Sequence, residues 1–168
     1  MYYFNVFLIY SFFGYLFEGV VSLVSKGSFK SGIMYGPWTP IYGFGVIIIL
    51  ILSSFLFKVL HLPKFFEIII VFLVITFILT FLEWLGGVGI EKLFHKVIWD
   101  YSNQRFHLGK YVSLTASLTW GVGSLFVIYV LHPLIKSRLR NIPFYLTIIF
   151  IFLFVLDFIY TFVKNVKV

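Results

Sequence analysis

The stretch FFEIIIVFLVITFILTFLEWL, residues 65–85, decides the fold. It is almost entirely apolar and has the length of ~20 residues that a helix needs to cross a hydrocarbon core about 30 Å thick. Its Phe, Ile and Val content would also suit strands, but a strand of a membrane barrel has ~10 residues that alternate in polarity. The stretch therefore predicts a transmembrane helix.

Further apolar runs of similar character flank this one on both sides. They are Phe4–Val24, Ile41–Phe57, Val112–Leu131 and Phe144–Val163. Pro, Gly and charged residues separate the runs, so the chain is expected to turn there. We predict an all-α fold, a polytopic membrane helical bundle of about five transmembrane helices that forms a single integral membrane domain over residues 1–168. No internal repeat is evident in the sequence.

The composition supports a membrane protein. Of the residues, 61% are apolar and 11% are charged, whereas about a quarter of a soluble domain is charged. The net charge of +7 comes from basic residues between the runs, and anionic lipid head groups account for it better than nucleic acid does. The absence of cysteine excludes disulfides and thiolate metal sites. Lys and Arg are divided almost evenly between the two faces, so the orientation in the membrane stays open.

Acidic residues lie inside the predicted spans at Glu18, Glu83 and Asp157, each in the last third of an odd-numbered helix. Because these helices run in the same direction, all three carboxyl groups are expected in one leaflet. The Trp residues gather on the same side, at Trp38, Trp84, Trp99 and Trp120. Aromatic residues normally mark both interfaces, so this asymmetry indicates a site. Glu18 is its leading candidate, since an ionisable group in hydrocarbon is costly and generally faces a partner or a cavity.

The segment Lys26–Gly45 between the first two predicted helices is rich in Gly and Pro, which forbids a regular helix. Irregular backbone near a bilayer must be buried in protein or line a water-filled cavity. Two interpretations stay open: a tight turn with interfacial Tyr and Trp, or a re-entrant loop that forms part of a pocket floor. The candidate site residues of this first motif loop are Tyr35, Pro37, Trp38 and Tyr42.

A second motif loop follows the third predicted helix. Gly86, Gly87 and Gly89 are expected to end that helix, and Ile90–Ile98 predicts a short amphipathic helix lying in the interface. The next segment, Trp99–Gly109, combines an acid, a guanidinium, an imidazole and two amides, which makes it a strong site candidate. Its candidate residues are Trp99, Asp100, Tyr101, Asn103, Arg105 and His107, with Trp120 in the following helix.

The two motif loops are expected to pack together, with Gly36–Gly45 against Trp99–Gly109, and to cap the leaflet that holds Glu18. The carboxyl of Glu18 should face protein and find a hydrogen-bond donor in these loops, because a lipid-facing carboxylate would cost several kcal/mol. The donors predicted for it are Tyr35, Tyr42, Trp99, Tyr101 and Arg105.

Several sequence blocks resemble a bacterial family of small membrane proteins called putative ABC transporter, type IV. The blocks are Phe13–Glu18, Gly36–Gly45, Trp99–Ser102, Phe106–Leu108 and Trp120–Gly121. The chain departs from the family at Phe29–Ile33, where the family usually has Asn-Arg-Gly-Phe, and at Thr39, where it often has Cys. It also has His107 where the family has Asn. The resemblance covers essentially the whole chain and implies a transporter permease, multi-pass in the bacterial inner (cytoplasmic) membrane.

Three functions are compatible with the residues. The first is a small transporter or ABC-type permease subunit with a polar site near Glu18; since the sequence has no phosphate-binding Gly-x-x-x-x-Gly-Lys-Ser/Thr motif, its ATPase would be a separate protein. The second is an integral membrane enzyme acting on a lipid or amphipathic substrate, with Glu18, Asp100 and His107 as acid and base and Arg105 or Lys110 holding a phosphate. The third is a non-catalytic scaffold or binding subunit.

The expected partners are membrane lipids, a separate ATPase or other membrane subunits, and a second copy of the chain, because a thin bundle favours association. No cofactor is expected. No pair of potential ligands has a spacing typical of a metal site, so no metal is expected either.

Overall fold

The computed structural model describes residues 1–166, and within that range five helical stretches are long and apolar enough to cross a membrane. The predicted helical bundle is therefore confirmed. The helices are α1 (Tyr2–Lys26), α2 (Pro40–Val59), α3 (Lys64–Phe94), α4 (Leu114–Phe126), α5 (His132–Arg140) and α6 (Phe144–Val166). A π-helical turn, Val127–Leu131, joins α4 to α5, so that one continuous helical stretch forms the fourth span.

The ends of the helices follow from local chemistry. α1 ends where Gly27 adopts a left-handed conformation with φ 68°, which glycine reaches without steric cost. α2 begins with Pro40, whose missing N–H is not needed in a first helical turn. The side chain of Ser113 accepts a hydrogen bond from the backbone N–H of Ala116 and so caps α4.

The break expected at Gly86, Gly87 and Gly89 does not occur, because α3 continues through all three to Phe94. Gly87 has another use: a Cβ there would collide with the ring of Tyr111, so the glycine permits close packing. A glycine inside a helix costs only about 1 kcal/mol, and a long apolar helix tolerates that. The separate amphipathic helix expected at Ile90–Ile98 is instead the last turn of α3 and the non-helical residues after it.

The segment between α3 and α4 also contains a small antiparallel hairpin that the sequence did not predict. Strand β1 (His107–Leu108) pairs with β2 (Val112–Ser113), and Gly109 turns the chain with a φ of 63°. The fourth span is longer than predicted as well, since it extends past Leu131 to Arg140.

The contacts divide the chain into two compact units. The first consists of Met1–Ile47 and the chain from Lys136 onward; the second is Ile48–Ile135. The single membrane domain expected for the whole chain stays a prediction.

In the first unit, α1 packs against α6, and the buried core lies between α1 and the first motif loop. The core residues are Phe7, Leu8, Met34 and Trp38, with Ile33, Ile47, Ile151 and Phe154 packed on them. A buried polar link crosses this unit: Asn5 donates to the carbonyl of Leu139 at 2.9 Å and accepts from the hydroxyl of Thr147 at 2.6 Å. Burying these groups costs little because each has a partner.

In the second unit, α3 packs against α4. The close approach is made by Gly121, since a Cβ at this position would collide with Thr76 and Phe72 of α3. Small residues at a helix contact are typical of membrane bundles, where packing has to replace the hydrophobic driving force.

Candidate functional site

The carboxyl of Glu18 is held by the first motif loop. Its Oε2 atom accepts hydrogen bonds from the hydroxyl of Ser31 and from the backbone N–H of Gly32, both at 3.0 Å. Gly32 has a φ of 50°, a left-handed conformation that glycine adopts readily. The loop therefore turns back over Glu18 and offers it a backbone donor and a hydroxyl donor side by side.

The donors are themselves positioned by α1 and by the start of α2. The hydroxyls of Ser31 and Thr39 lie 2.7 Å apart, and the backbone N–H of Thr39 donates to the carbonyl of Ser11 in α1 at 3.0 Å. Tyr42, in the first turn of α2, contributes a further side-chain hydrogen bond to the Glu18 carboxyl. Its ring lies against Gly14, where a Cβ would collide with it. The three groups that hold this carboxyl in the described part of the chain are thus neutral donors.

Aromatic contacts fix the rest of the first motif loop on α6. The rings of Tyr35 and Tyr160 meet edge to face with centroids 5.0 Å apart, and the buried Trp38 contacts Phe154 in the same manner at 6.0 Å. Pro37 is the centre of a tight turn in which the N–H of Trp38 donates to the carbonyl of Gly36 at 2.8 Å.

Asp157 of α6 lies beside this turn. A Cβ built on Gly36 would be 2.8 Å from its Oδ2 atom and 2.9 Å from Nε1 of Trp38. The Oδ2 atom is buried and has no hydrogen-bond partner. The first motif loop therefore runs next to two of the acids predicted within spans, Glu18 and Asp157.

Glu83 has polar partners within the second unit. It is 3% exposed, and its Oε1 atom accepts a hydrogen bond from the hydroxyl of Tyr101 at 2.8 Å. The side chain of Trp120 in α4 also interacts with this carboxyl, while Oε2 is buried with no partner at normal hydrogen-bond geometry. As at Glu18, the donors come from the loop that follows the helix and from the helix after it.

The second motif loop is tied to the end of α3. Glu91 accepts hydrogen bonds from Nζ of Lys110 and from the hydroxyl of Tyr111, each at 2.7 Å. The hydrogen bond that Lys110 donates to Glu91 raises the pKa of Lys110. Trp99 contacts the ring of Tyr111 edge to face, and the N–H of Tyr101 donates to the carbonyl of Lys110 at 2.7 Å. These contacts direct Trp99 and Tyr101 towards the helices.

The remaining candidates of this loop, Asp100, Asn103, Arg105 and His107, are exposed. Asp100 accepts a hydrogen bond from the backbone N–H of Ser102 at 2.8 Å, and the hydrogen bonds from Ser102 lower the pKa of Asp100. Nδ1 of His107 lies 2.9 Å from the carbonyl oxygen of Gly109, and the guanidinium of Arg105 lies over the ring of Phe106. These polar groups thus serve local turns and surface contacts.

Among the donors predicted for Glu18, Tyr42 makes contact, whereas the direct donors Ser31 and Gly32 were not anticipated. A Ser-Gly pair in a glycine-rich loop resembles an ordinary turn, so only its position opposite an intramembrane acid could have indicated this role. The packing of the two motif loops on each other, and the common leaflet of the acids, stay predictions. Within the described part of the chain, no three His, Asp or Glu side chains come together as a metal site.

Comparison with known proteins gives one family. The sequence model of the family described as "Putative ABC-transporter type IV" matches residues 5–163, so the chain belongs to that family. With five candidate spans, it is a multi-pass membrane protein. No curated protein and no solved structure matches it.

Proposed function

We propose that this member of the "Putative ABC-transporter type IV" family is the membrane-spanning permease component of an ABC-type transporter in the bacterial inner membrane. The family description and the five apolar helices support this function. The sequence contains no phosphate-binding loop, so ATP would be hydrolysed by a separate subunit.

The observation that carries the proposal is the way Glu18 is held. An intramembrane carboxyl is expensive to keep, yet among the described residues this one is held by the hydroxyl of Ser31, the backbone N–H of Gly32 and the side chain of Tyr42. A carboxyl held by neutral donors can take up and release a proton without breaking an ion pair, and this suits the titratable acid of a transport site.

The first motif loop would then act as the cover of that site. It is irregular, it carries two of the donors, and the backbone N–H of its Thr39 donates to the carbonyl of Ser11 in α1. A small movement of residues 31 and 32 would free the carboxyl, whereas the aromatic contacts of Trp38 would keep the loop attached to α6.

Purification of the affinity-tagged chain from its native membranes in mild detergent tests this function. We expect an ATP-binding subunit to co-purify in stoichiometric amount, to be labelled by 8-azido-ATP, and to hydrolyse ATP in a vanadate-sensitive manner. An unrelated multi-pass protein with the same tag is the control. A chain that purifies intact, with no labelled subunit and no ATP hydrolysis above the control, would contradict the proposal.

A further inference from the structure

Two segments of the chain match each other in sequence. Residues 7–18 are FLIYSFFGYLFE and residues 72–83 are FLVITFILTFLE. Phe, Leu, Phe and Glu are identical, and Ile is replaced by Val and Ser by Thr at two further positions. Each segment ends on the glutamate whose carboxyl the following loop holds. In an apolar helix such a match carries little weight alone, so its meaning depends on the contacts.

The helix that follows each segment also carries a matching motif. α2 contains Tyr42-Gly-Phe-Gly45 and α4 contains Trp120-Gly-Val-Gly123. The aromatic residue interacts with the glutamate of the preceding segment in both cases: Tyr42 with Glu18, and Trp120 with Glu83. The order helix, glutamate, loop, aromatic residue and glycine therefore occurs twice.

The glycines after these aromatic residues make the same helix contact. A Cβ on Gly43 would collide with Phe7 and Ser11, and a Cβ on Gly121 would collide with Phe72 and Thr76. Phe7 and Phe72 open the two matching segments, and Ser11 and Thr76 share the next polar position. The hydroxyls of Ser11 and Thr76 are both buried without a hydrogen-bond partner. Each glycine thus approaches the same two positions of its matching segment.

Burial follows the same register. The buried positions of α1 that have a buried counterpart in α3 are Val6 with Val71, Tyr10 with Ile75, and Gly14 with Leu79. Their spacing of four residues places them on one face of each helix, and the glutamates lie one further step along it. The loops differ in length because the second contains the β1–β2 hairpin.

We propose that α1 with α2 and α3 with α4 are two copies of one helix–loop–helix module, and that Glu83 is a second proton-binding site equivalent to Glu18. The transport role of this second site rests on the proposed function; the duplication does not. The sequence alone makes no repeat evident, so the proposed duplication rests on these contacts.

The groups around the second carboxyl allow this role. The loop presents the phenol of Tyr101, and α4 presents the indole of Trp120. Glu91 lies about two helical turns further along α3 than Glu83, and it is paired with Lys110 of the second motif loop. In the first module, the facing groups are Ser31, Gly32 and Tyr42. The partners given for both carboxyls within residues 1–166 are neutral groups, so proton exchange at either carboxyl would break no ion pair with them.

Labelling with the hydrophobic reagent dicyclohexylcarbodiimide tests the equivalence without any transport assay. The reagent adds to a protonated carboxyl, whose proton moves to a nitrogen of the reagent while its oxygen bonds to the central carbon. Purified protein in lipid vesicles is labelled in the absence of ATP, and adducts are assigned by peptide mass spectrometry. We expect adducts at Glu18 and at Glu83, and none at Glu91, which is paired with Lys110.

Glu18→Gln should lose only the first adduct and Glu83→Gln only the second, because the modules are separate sites. The wild-type result suffices where a variant fails to fold. Complete labelling of Glu18 with no adduct at Glu83, or labelling of Glu83 no faster than of Glu91, would overturn the second site. Either result would leave the ATPase purification unaffected, so the two proposals fail separately.

Discussion

Glu18 and Glu83 occupy corresponding places in the two modules but are held in different ways. Glu18 receives hydrogen bonds from a hydroxyl and a backbone N–H of adjacent residues, Ser31 and Gly32. Glu83 is 3% exposed; its Oε1 atom receives a hydrogen bond from Tyr101, and the side chain of Trp120 also interacts with its carboxyl. The helix pair therefore fixes where the carboxyl lies, and the loop decides how firmly it is held.

The loops differ in what a release of the carboxyl would require. Ser31 and Gly32 belong to an irregular segment, so both donors can leave by a local change of backbone. Tyr101 is tied through its N–H to Lys110, and Lys110 is tied through Glu91 to α3. We therefore expect the first site to exchange readily and the second to be the more tightly closed.

The largest expected effect tests the close glycine contact between helices that occurs in both modules. Gly43→Ala places a methyl group against the backbone carbonyl of Phe7, at 2.6 Å, which cannot move away without shifting α1. We expect a loss of about 2–3 kcal/mol in unfolding free energy, as at other overpacked sites. Gly121→Ala should lose less, because a ring and a hydroxyl of α3 can adjust. Thermal unfolding in detergent measures both.

Gly123→Ala is the matched control, since a Cβ there meets nothing within 4 Å. Alanine is the better helix former by about 1 kcal/mol, so this variant should be as stable as the wild type or more so. Equal destabilisation by Gly43→Ala and Gly123→Ala would show that the close contact at Gly43 does not stabilise the packing of α1 on α2.

A smaller effect is expected from the donor to Glu83. Tyr101→Phe removes the hydroxyl that donates to this buried carboxyl, and an unsatisfied buried group costs about 1–2 kcal/mol. Tyr35→Phe is the control, because it keeps the ring contact with Tyr160 at an exposed position. Thermal unfolding of the two variants should differ; the same melting temperature for both would contradict the hydrogen bond.

The corresponding change at the first site should cost less. Ser31→Ala leaves Glu18 with Gly32 and Tyr42 as donors, so we expect a loss of about 0.5–1 kcal/mol. Ser25→Ala, which removes a hydroxyl that bonds only within α1, serves as the control. If Ser31→Ala destabilised the protein more than Tyr101→Phe does, the inference that Glu83 is the more tightly held of the two carboxyls would be wrong.

The smallest effect concerns the exposed end of the second motif loop. Hydrogen bonds from Ser102 lower the pKa of Asp100 in the folded protein, so they stabilise the turn above the ordinary aspartate pKa of about 3.9 and are lost as the pH falls through the lowered value. The amide resonance of Ser102 should therefore titrate with a midpoint below about 3.9. Asp100→Asn should abolish this titration, and a midpoint above the ordinary value would refute the assignment.

The sequence was sufficient for the helices, whereas the importance of Glu18 for function stays a prediction. The cost of placing a polar group in hydrocarbon applies to each residue separately. Long apolar runs, and an ionisable group within one of them, can therefore be recognised from the sequence. The glycines after Glu83 were misread because composition cannot tell a glycine that ends a helix from one that receives a ring, as Gly87 receives Tyr111.

The donors and the duplication could not be read from the sequence for a different reason. Ser31 and Gly32 reach Glu18 only because Thr39 ties the loop to α1, and such contacts depend on tertiary structure. The match between residues 7–18 and 72–83 is hidden by the abundance of Phe, Leu and Ile. It becomes meaningful when Gly43 and Gly121 make the same contact with both segments.

Replacement of Glu18 tests most directly whether its carboxyl is the titratable acid of the transport site. Glu18→Gln keeps the shape of the side chain and removes its titration, and ATP hydrolysis is measured in the assembled transporter in lipid vesicles. We predict normal insertion and assembly with hydrolysis reduced at least about tenfold, or ~1.4 kcal/mol. Wild-type hydrolysis by Glu18→Gln, together with a reduced amount of folded protein for Glu18→Leu, would show that the carboxyl is structural and would contradict the account.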